Sequence, residues 1–367
     1  MIWTTDNVQR IILDVAGRIL KIPHAGLPTQ VRADLDLSLD LGLDSLRRME
    51  LAAYLNELFG LLQTSATNYL LAGTTLEHWT NCILRARSDD DRFLTFRTSG
   101  TGGATKSITH SMASLVSEAQ FLAQLLAPPG QIISSVPANH IYGFLYTVLL
   151  PSLWKRPMRL LTDVSMADIE ADSLLVGTPF TWQFIDQSFL GAAKLPCRGV
   201  SSTAPMPPGL FTRLMEAGVS LTEVYGSSDT GGLGFRHAPD APFVLFPYVV
   251  LSRSEPLTVT RTDTSETFVI PDRLEQLSSR EIRLLGRLDD AVQIAGVNVY
   301  PTHIRQIIEQ CPLVAECDVY AKAVAGDTQL YAAVHLRALS DSSREACLRW
   351  IRQHLSAPEL PNHLYLY

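Results

Sequence analysis

The strongest constraint on this chain is the alternation, between residues 93 and 285, of short β-rich stretches with helical ones. Residues 93–97, 131–136, 158–162, 173–177, 199–202 and 221–225 read as strands, and 112–126, 143–154 and 208–217 read as helices between them. Such alternation predicts an α/β layer with a largely parallel sheet. Ligands of such sheets bind where loops leave the carboxyl ends of strands, so the loops after Phe96 and Val224 are expected there. Shorter alternating segments at 243–251, 257–261, 268–270 and 282–285 predict a strand-rich subdomain. A length of 367 residues implies two or three domains, and 46% hydrophobic with 18% charged residues suffices for sizeable cores.

The loop after Phe96 reads T-S-G-T-G-G-A-T-K from Thr98 to Lys106. Glycines let backbone N–H groups approach phosphate oxygens, the hydroxyls add hydrogen bonds, and Lys106 supplies a mobile positive charge, so the composition suits a polyphosphate. A Gly/Ser/Thr-rich turn after a strand can equally be only a turn. Spacing excludes two familiar phosphate loops. A Walker A loop needs Gly directly before Lys, and the dinucleotide fingerprint needs a third Gly, yet Thr105 stands at both places.

Ahead of this layer, Val8, Ile11, Ile12, Val15, Ala16, Ile19 and Leu20 recur at helical spacing behind Thr5 or Asp6. A second helix opens in the run L-G-L-D-S-L-R-R-M-E-L from Leu41 to Leu51, continues to Leu58 and stops at Gly60. Asp44 and Ser45 suit its N-terminal cap. A short closing helix over 75–84 completes a small all-helical unit in residues 1–86. The charged, aperiodic run R-A-R-S-D-D-D-R at 85–92 reads as a linker. After 288, the segments 302–310, 319–323, 329–336 and 343–355 predict a small α+β cap.

Net charge of −7 argues against nucleic acid as the main partner. The start lacks the basic and apolar regions of a secretory signal, and the longest apolar run, 141–154, is too short to span a bilayer. Five scattered cysteines give neither a disulfide framework nor a zinc site, which fits a reducing cytoplasm.

The loop at 98–106 resembles the signature loop of the acid-adenylating, acyl-AMP-forming superfamily of acyl- and aryl-CoA ligases and nonribosomal peptide synthetase adenylation domains. Three later stretches extend the resemblance: V-P-A-N-H-I-Y-G at 136–143, V-Y-G-S-S-D-T-G-G at 224–232, and G-R-L-D-D-A-V-Q-I-A-G-V-N-V-Y-P at 286–301. The resemblance implies ATP and Mg²⁺. Thr98, Ser99, Gly100, Thr101, Gly102 and Lys106 would hold the β/γ-phosphates, Tyr225 would lie against adenine, Gly226 beside it would belong to the nucleotide site, and Ser228 would approach the α-phosphate. Asp229 would bind Mg²⁺, although the family mostly has the longer Glu there. Asp272 and Arg287 would hold the ribose side, and Asp289 would be the hinge. His140, Tyr142, Gly143 and Gly231 would line the acid pocket, with Lys106, Asp229 and His140 as catalytic residues. S-S-T-A-P at 201–205 matches the family's pocket strand only loosely, having neither glycine. Amino-acid-activating relatives carry an Asp near the 140 segment, and its absence here implies an aryl or acyl acid without an α-amino group.

The run at 41–51 is similar to the prosthetic-group site of acyl and peptidyl carrier proteins, with Ser45 as the 4′-phosphopantetheine attachment point. The implied architecture is multidomain: an all-α four-helix carrier bundle (1–86), a shortened α/β adenylating large domain (93–285) and a small α+β C-terminal cap (288–367). A phosphopantetheinyl transferase and a downstream synthase or carrier protein are the implied partners, besides the small acid. A cytoplasmic phosphoprotein of secondary metabolism is expected. The implied activity is adenylation of the acid and transfer to a phosphopantetheine thiol, on Ser45 or in trans. The alternatives are a ligase using free CoA, and a catalytically weakened scaffold. The last is prompted by Leu360–Tyr367, where the family's glycine-lysine segment would be expected to follow and does not.

Overall fold

In a computed structural model, the described residues are 3–22, 32, 34–63, 68–99, 105–189, 194–252, 257–287, 291–294, 297–324 and 327–367. Helix α1 (Thr5–Leu20) starts at a capping box made by Thr4 and Asn7 and buries Val8, Ile11, Ile12 and Val15 completely. Helix α2 (Ser45–Phe59) is capped by Asp44, whose carboxylate accepts the Arg47 N–H at 2.8 Å. It ends on Gly60 in the left-handed conformation (φ 65°), where the sequence placed its stop. Helix α3 (Leu76–Asp89) follows Thr75 as cap. Three α-helices and two 3₁₀ turns, Leu61–Gln63 and Tyr69–Ala72, therefore make up the described N-terminal part.

The linker expected at 85–92 is instead the end of α3 and a packed corner. Arg87 is 4% exposed, and its guanidinium donates to the carbonyls of Phe59 (3.1 Å) and Phe93 (2.9 Å) and to Asp91. The Trp3 indole N–H also reaches Asp91, at 2.8 Å. A buried cation so fully bonded fixes the chain there, because leaving any of these groups unpaired would carry its full desolvation penalty.

Strands β1 (Phe93–Ser99) and β2 (Thr105–Ser111) pair antiparallel, from Phe93↔Ser111 to Ser99↔Thr105. The alternation placed β1 in the parallel sheet; the strand instead forms a separate two-stranded sheet with β2. The reason lies in the connection: a parallel partner requires a crossover of about a dozen residues or more, whereas only five separate these strands. Helix α4 (Met112–Leu126) matches the helix read from sequence.

A nine-stranded mixed sheet follows. β3 (Ile132–Ser134), α5 (Ile141–Phe144), α6 (Leu150–Trp154), β4 (Met158–Leu160), β5 (Leu174–Gly177), α7 (Pro179–Phe189), β6 (Arg198–Ser201), α8 (Pro208–Glu216) and β7 (Ser220–Ser227) build its parallel half, ordered β4-β3-β5-β6-β7. β3 and β5 are buried along their whole length, as strands covered on both faces must be. β8 (Gly231–Arg236) turns antiparallel onto β7, and β9 (Phe243–Leu245) onto β8. β10 (Val249–Leu251), β11 (Thr258–Arg261) and β12 (Glu266–Val269) form a separate small sheet. β13 (Asp272–Gln276) and β14 (Glu281–Arg287) close the far edge of the large one.

α5 and α6 are joined by a π-helical turn, Leu145–Leu149. Pro151 has no N–H to give the carbonyl of Thr147 four residues earlier, and the Arg10 guanidinium of α1 donates to that carbonyl instead.

Last come β15 (Val292–Ile294), β16 (Val297–Val299), α9 (Pro301–Glu309), β17 (Val314–Val324), β18 (Asp327–Leu336), α10 (Asp341–His354) and β19 (His363–Leu366). Their core, including Ile304, Ile308, Leu330, Val334 and Ile351, is separate from the others. By contrast, Trp3, Phe59 and Trp79 of the helical N-terminal part share one continuous core with Phe96, Leu115, Phe144 and Phe246. A further core on the sheet gathers Ile133, Trp182, Phe211 and Leu221. Among the described residues no helix is long and apolar enough to cross a membrane.

Candidate functional site

The carboxyl ends of β5 and β6 are crossed by Tyr142, whose hydroxyl donates to the carbonyls of Gly177 (2.9 Å) and Val200 (3.4 Å). Burial pushes that phenol well above its ordinary pKa, so it remains a donor. Its ring meets Tyr146 edge-on at 4.9 Å. Gly143 is required here, because a Cβ would lie 1.8 Å from the Pro137 carbonyl oxygen. His140 begins α5 with no capping bond from its side chain, and its ring is solvent-accessible. The protein mass around it, together with Arg18, nevertheless pushes its imidazole down to about 4.

The turn after β7 stands at the same end of the sheet. Ser227 and Thr230 close it by mutual bonds, each backbone N–H donating to the other's hydroxyl at 3.1 and 3.2 Å. Gly226 sits so close to the returning strand that a Cβ would be 2.1 Å from Gly231 O. Gly231 has φ 68°. Asp229 projects from this closed turn and forms an ion pair with Lys106 at the start of β2. Both side chains are about half exposed, so the pair contributes little to stability and yields readily to a ligand. His110, farther along β2, donates from Nε2 to the Ser228 carbonyl at 2.7 Å, which fixes its tautomer; burial lowers its pKa. The hairpin and the turn are thereby tied together at two points.

On the far side of the turn, the Tyr225 hydroxyl donates to Asp272 at 2.8 Å. Asp272 is the cross-strand partner of Arg287 in the β13–β14 ladder. The sequence-predicted residues Lys106, Tyr225, Gly226, Ser228, Asp229, Asp272 and Arg287 are therefore brought to one neighbourhood. Thr98 lies opposite Lys106 in the hairpin. Gly100, Thr101, Gly102 and Asp289 lie outside the described residues, as do the side chains of Ser99 and Arg287. Ser45 stands apart, exposed at the first position of α2, with Leu46 and Met49 exposed beside it.

Sequence reasoning missed the pair beneath the turn. Glu118 of α4 and Arg261 of β11, 2% and 3% exposed, bond at 2.9 Å. Glu118 accepts the Gly232 N–H at 2.8 Å, and Arg261 donates to Thr230 O at 3.1 Å. Burial raises the Glu118 carboxyl above its ordinary value, against the pull of Arg261 and the amide. A signal was present: Glu118 interrupts the apolar face of α4 formed by Leu115, Ala119 and Leu122.

The oxygen donor of Asp229 on a rigid turn suits Mg²⁺, and an accessible hydroxyl at a helix start suits attachment of a phosphopantetheine arm. Residues 10–83 match the family model described as "Phosphopantetheine attachment site". Over 363 residues the chain is 35% identical to a 4-coumarate–CoA ligase of Rhodobacter capsulatus, covering 95% of this chain and 91% of that one. It is 24% identical over 176 residues, 45% of its own length and 41% of the relative's, to a 3,4-dihydroxybenzoate–[aryl-carrier protein] ligase of Bacillus anthracis. The structure of the amide bond synthetase McbA from Marinactinospora thermotolerans superposes with a TM-score of 0.66 at 14% identity, covering 98% of this chain and 90% of that one.

Fold, site and relatives together define an AMP-forming ligase that acts on carboxylic acids. The chain belongs to the family of the 4-coumarate–CoA ligases, and carries a phosphopantetheine-attachment region within it. ATP, Mg²⁺ and 4′-phosphopantetheine are the cofactors of these two parts.

Proposed function

We propose that this chain activates an aryl carboxylic acid of the hydroxycinnamate kind with ATP and passes the acyl group to the thiol of CoA. The observation that carries this is the meeting of Lys106 and Asp229, 123 residues apart in sequence, at the carboxyl end of the sheet beside the Tyr225–Asp272 bond. The 35% identity to a 4-coumarate–CoA ligase supports the acid and the acceptor. The parts are a carrier-like region (1–86), a large subdomain (93–285) and a small one (288–367).

In the first step the acid's carboxylate oxygen attacks the α-phosphorus in line and pyrophosphate leaves; no protein nucleophile is needed, only positioning and charge neutralisation. Lys106 leaves Asp229 for the β/γ-phosphates, and Thr98 adds a hydroxyl on the facing strand. Asp229 would hold Mg²⁺, which neutralises phosphate charge when bound. Tyr225 lies against the adenine, Ser228 faces the α-phosphate, and Asp272 and Arg287 take the ribose. His140, Tyr142, Gly143 and Gly231 form the acid side, where a His140 that stays neutral repels no cation and donates or accepts one hydrogen bond. In the second step a thiolate attacks the acyl carbon and AMP leaves, after rotation about Asp289 clears the small subdomain.

A second reading, transfer to a pantetheine thiol on Ser45 or on another carrier, is favoured by the accessible Ser45 and the match over 10–83. One experiment tests both. The protein, with and without prior treatment by a phosphopantetheinyl transferase, is given ATP, Mg²⁺, a panel of aryl and aliphatic acids, and CoA. Acyl-CoA is followed by chromatography and acyl-protein by intact mass. Acyl-CoA formed equally by wild type and Ser45→Ala supports CoA as acceptor. An acyl mass on the treated wild type that Ser45→Ala lacks supports the second reading. Formation of neither acyl-CoA nor an acyl mass with any acid overturns both.

A further inference from the structure

Helix α2, which bears Ser45, is wired to the ligase by its other end. Glu57, in its last turn, accepts from Arg97 Nε at 2.6 Å and from the Ser107 hydroxyl. Arg97 and Ser107 face each other across the β1–β2 hairpin, and the next pair toward the tip is Thr98 and Lys106. One carboxylate therefore ties both arms of the hairpin one step below the lysine that meets Asp229. Partial burial works against its charge, but the bonds from Ser107 and Arg97 outweigh it and hold the Glu57 carboxyl below its ordinary range.

Tyr54 lies three residues earlier, on the same face of the helix. It is 4% exposed, with Arg97 stacked over its ring at 4.8 Å. Its hydroxyl accepts from the Asn139 side-chain amide at 3.1 Å and approaches the Asn139 carbonyl at 3.4 Å, immediately before His140. Helix α1 reinforces that contact, since the Ala138 N–H donates to Asp14 at 2.7 Å.

We propose that α2 is a working strut of the ligase, in which Glu57 positions the nucleotide hairpin and Tyr54 positions the acid-side segment. Both are positioning residues: they act through Lys106 and His140 and touch no substrate. The inference rests on reading the hairpin and the 136–143 segment as the nucleotide and acid sides, and deepens it by assigning control of each side to one residue of a region otherwise read as a carrier. Charge-assisted bonds such as those of Glu57 are strong and directional, so their loss loosens the hairpin while the shared apolar core keeps the helix in place.

The test is a crossed pair of near-isosteric variants, with acid-dependent pyrophosphate exchange as the assay and thermal unfolding measured alongside. Glu57→Gln is expected to raise KM for ATP about tenfold with KM for the acid within about twofold of wild type. Tyr54→Phe is expected to do the reverse, raising KM for the acid about fivefold and leaving that for ATP within about twofold. If Glu57→Gln unfolds too early to assay, Glu57→Asp, which keeps the charge and shortens the reach, takes its place. A general loosening would move both constants in both variants, and that result, or no change in either, overturns the proposal. Lys106→Ala separates the two levels. If it leaves KM for ATP unaltered, the nucleotide reading of the hairpin falls and the strut with it. If it raises KM for ATP while Glu57→Gln does not, only the strut falls.

Discussion

Replacing Glu118 by alanine takes from the buried Arg261 one of its two carboxylate partners, and the structure allows the consequence to be sized. The guanidinium is 3% exposed and keeps Asp263, at 3.0 Å, as its remaining carboxylate partner, so about 3–5 kcal/mol is expected from breaking the pair. The orphaned Gly232 N–H is part of that figure, not an addition to it, since the same carboxylate served both. For a unit of this size, about 2–4 °C per kcal/mol gives a fall in Tm of about 6–20 °C. Several separate cores mean several transitions, so differential scanning calorimetry is the assay, and the transition to follow is that of the large sheet. The double variant Glu118→Leu with Arg261→Met removes both charges and leaves chiefly the Gly232 amide and Asp263 to be satisfied. It is expected to recover at least about 1 kcal/mol relative to Glu118→Ala. A loss below about 1 kcal/mol in the single variant, or a double variant no more stable than the single, would refute the assignment of this pair as the support of the turn.

Three further outcomes are expected. Gly143→Ala forces a Cβ to within 1.8 Å of the Pro137 carbonyl oxygen, and should destabilise by about 3 kcal/mol and cut acid-dependent turnover; wild-type behaviour would show that the close approach is not real. His140 should titrate by NMR near pH 4, and because its folded value is depressed, its contribution is present above the ordinary histidine range and withdrawn as pH falls toward 4; a midpoint near 6.5 would show that neither the surrounding protein nor Arg18 disfavours its charged form. Arg87→Met leaves the Phe59 and Phe93 carbonyls and Asp91 short of a donor and should lower stability by about 2–4 kcal/mol, measured by urea unfolding, whereas a neutral effect would restore the linker reading of 85–92.

What the sequence revealed follows from the range of the interactions involved. α2 could be bounded at both ends because Asp44 and Gly60 act on their own helix, and α4 was read to the residue because apolar residues recur at helical spacing from Met112 to Leu126, with Glu118 as a break in the buried face. Strand β1 was visible as a strand and was counted into the parallel sheet, because its true partner β2, whose T-K-S-I-T-H-S run is mostly polar, was not read as a strand at all. Arg87 looked like one charge in a solvated run; its burial depends on carbonyls 28 residues before and 6 residues after it, which no local pattern encodes. The same holds for Arg261, whose partner lies 143 residues away. At the site, the motif residues were legible one at a time, whereas the Lys106–Asp229 and Tyr225–Asp272 contacts are products of the sheet order.

The shared core around Trp3, Phe59, Phe96 and Phe144 bears on how such a chain can be re-engineered. Exchanging its first 86 residues for those of another carrier would strip an aromatic wall from the remaining enzyme, and severing the backbone near residue 90 would leave two sticky fragments in place of two modules. Grafting experiments on this protein therefore have to move the interface along with the helices, much as one transplants a subunit together with its socket.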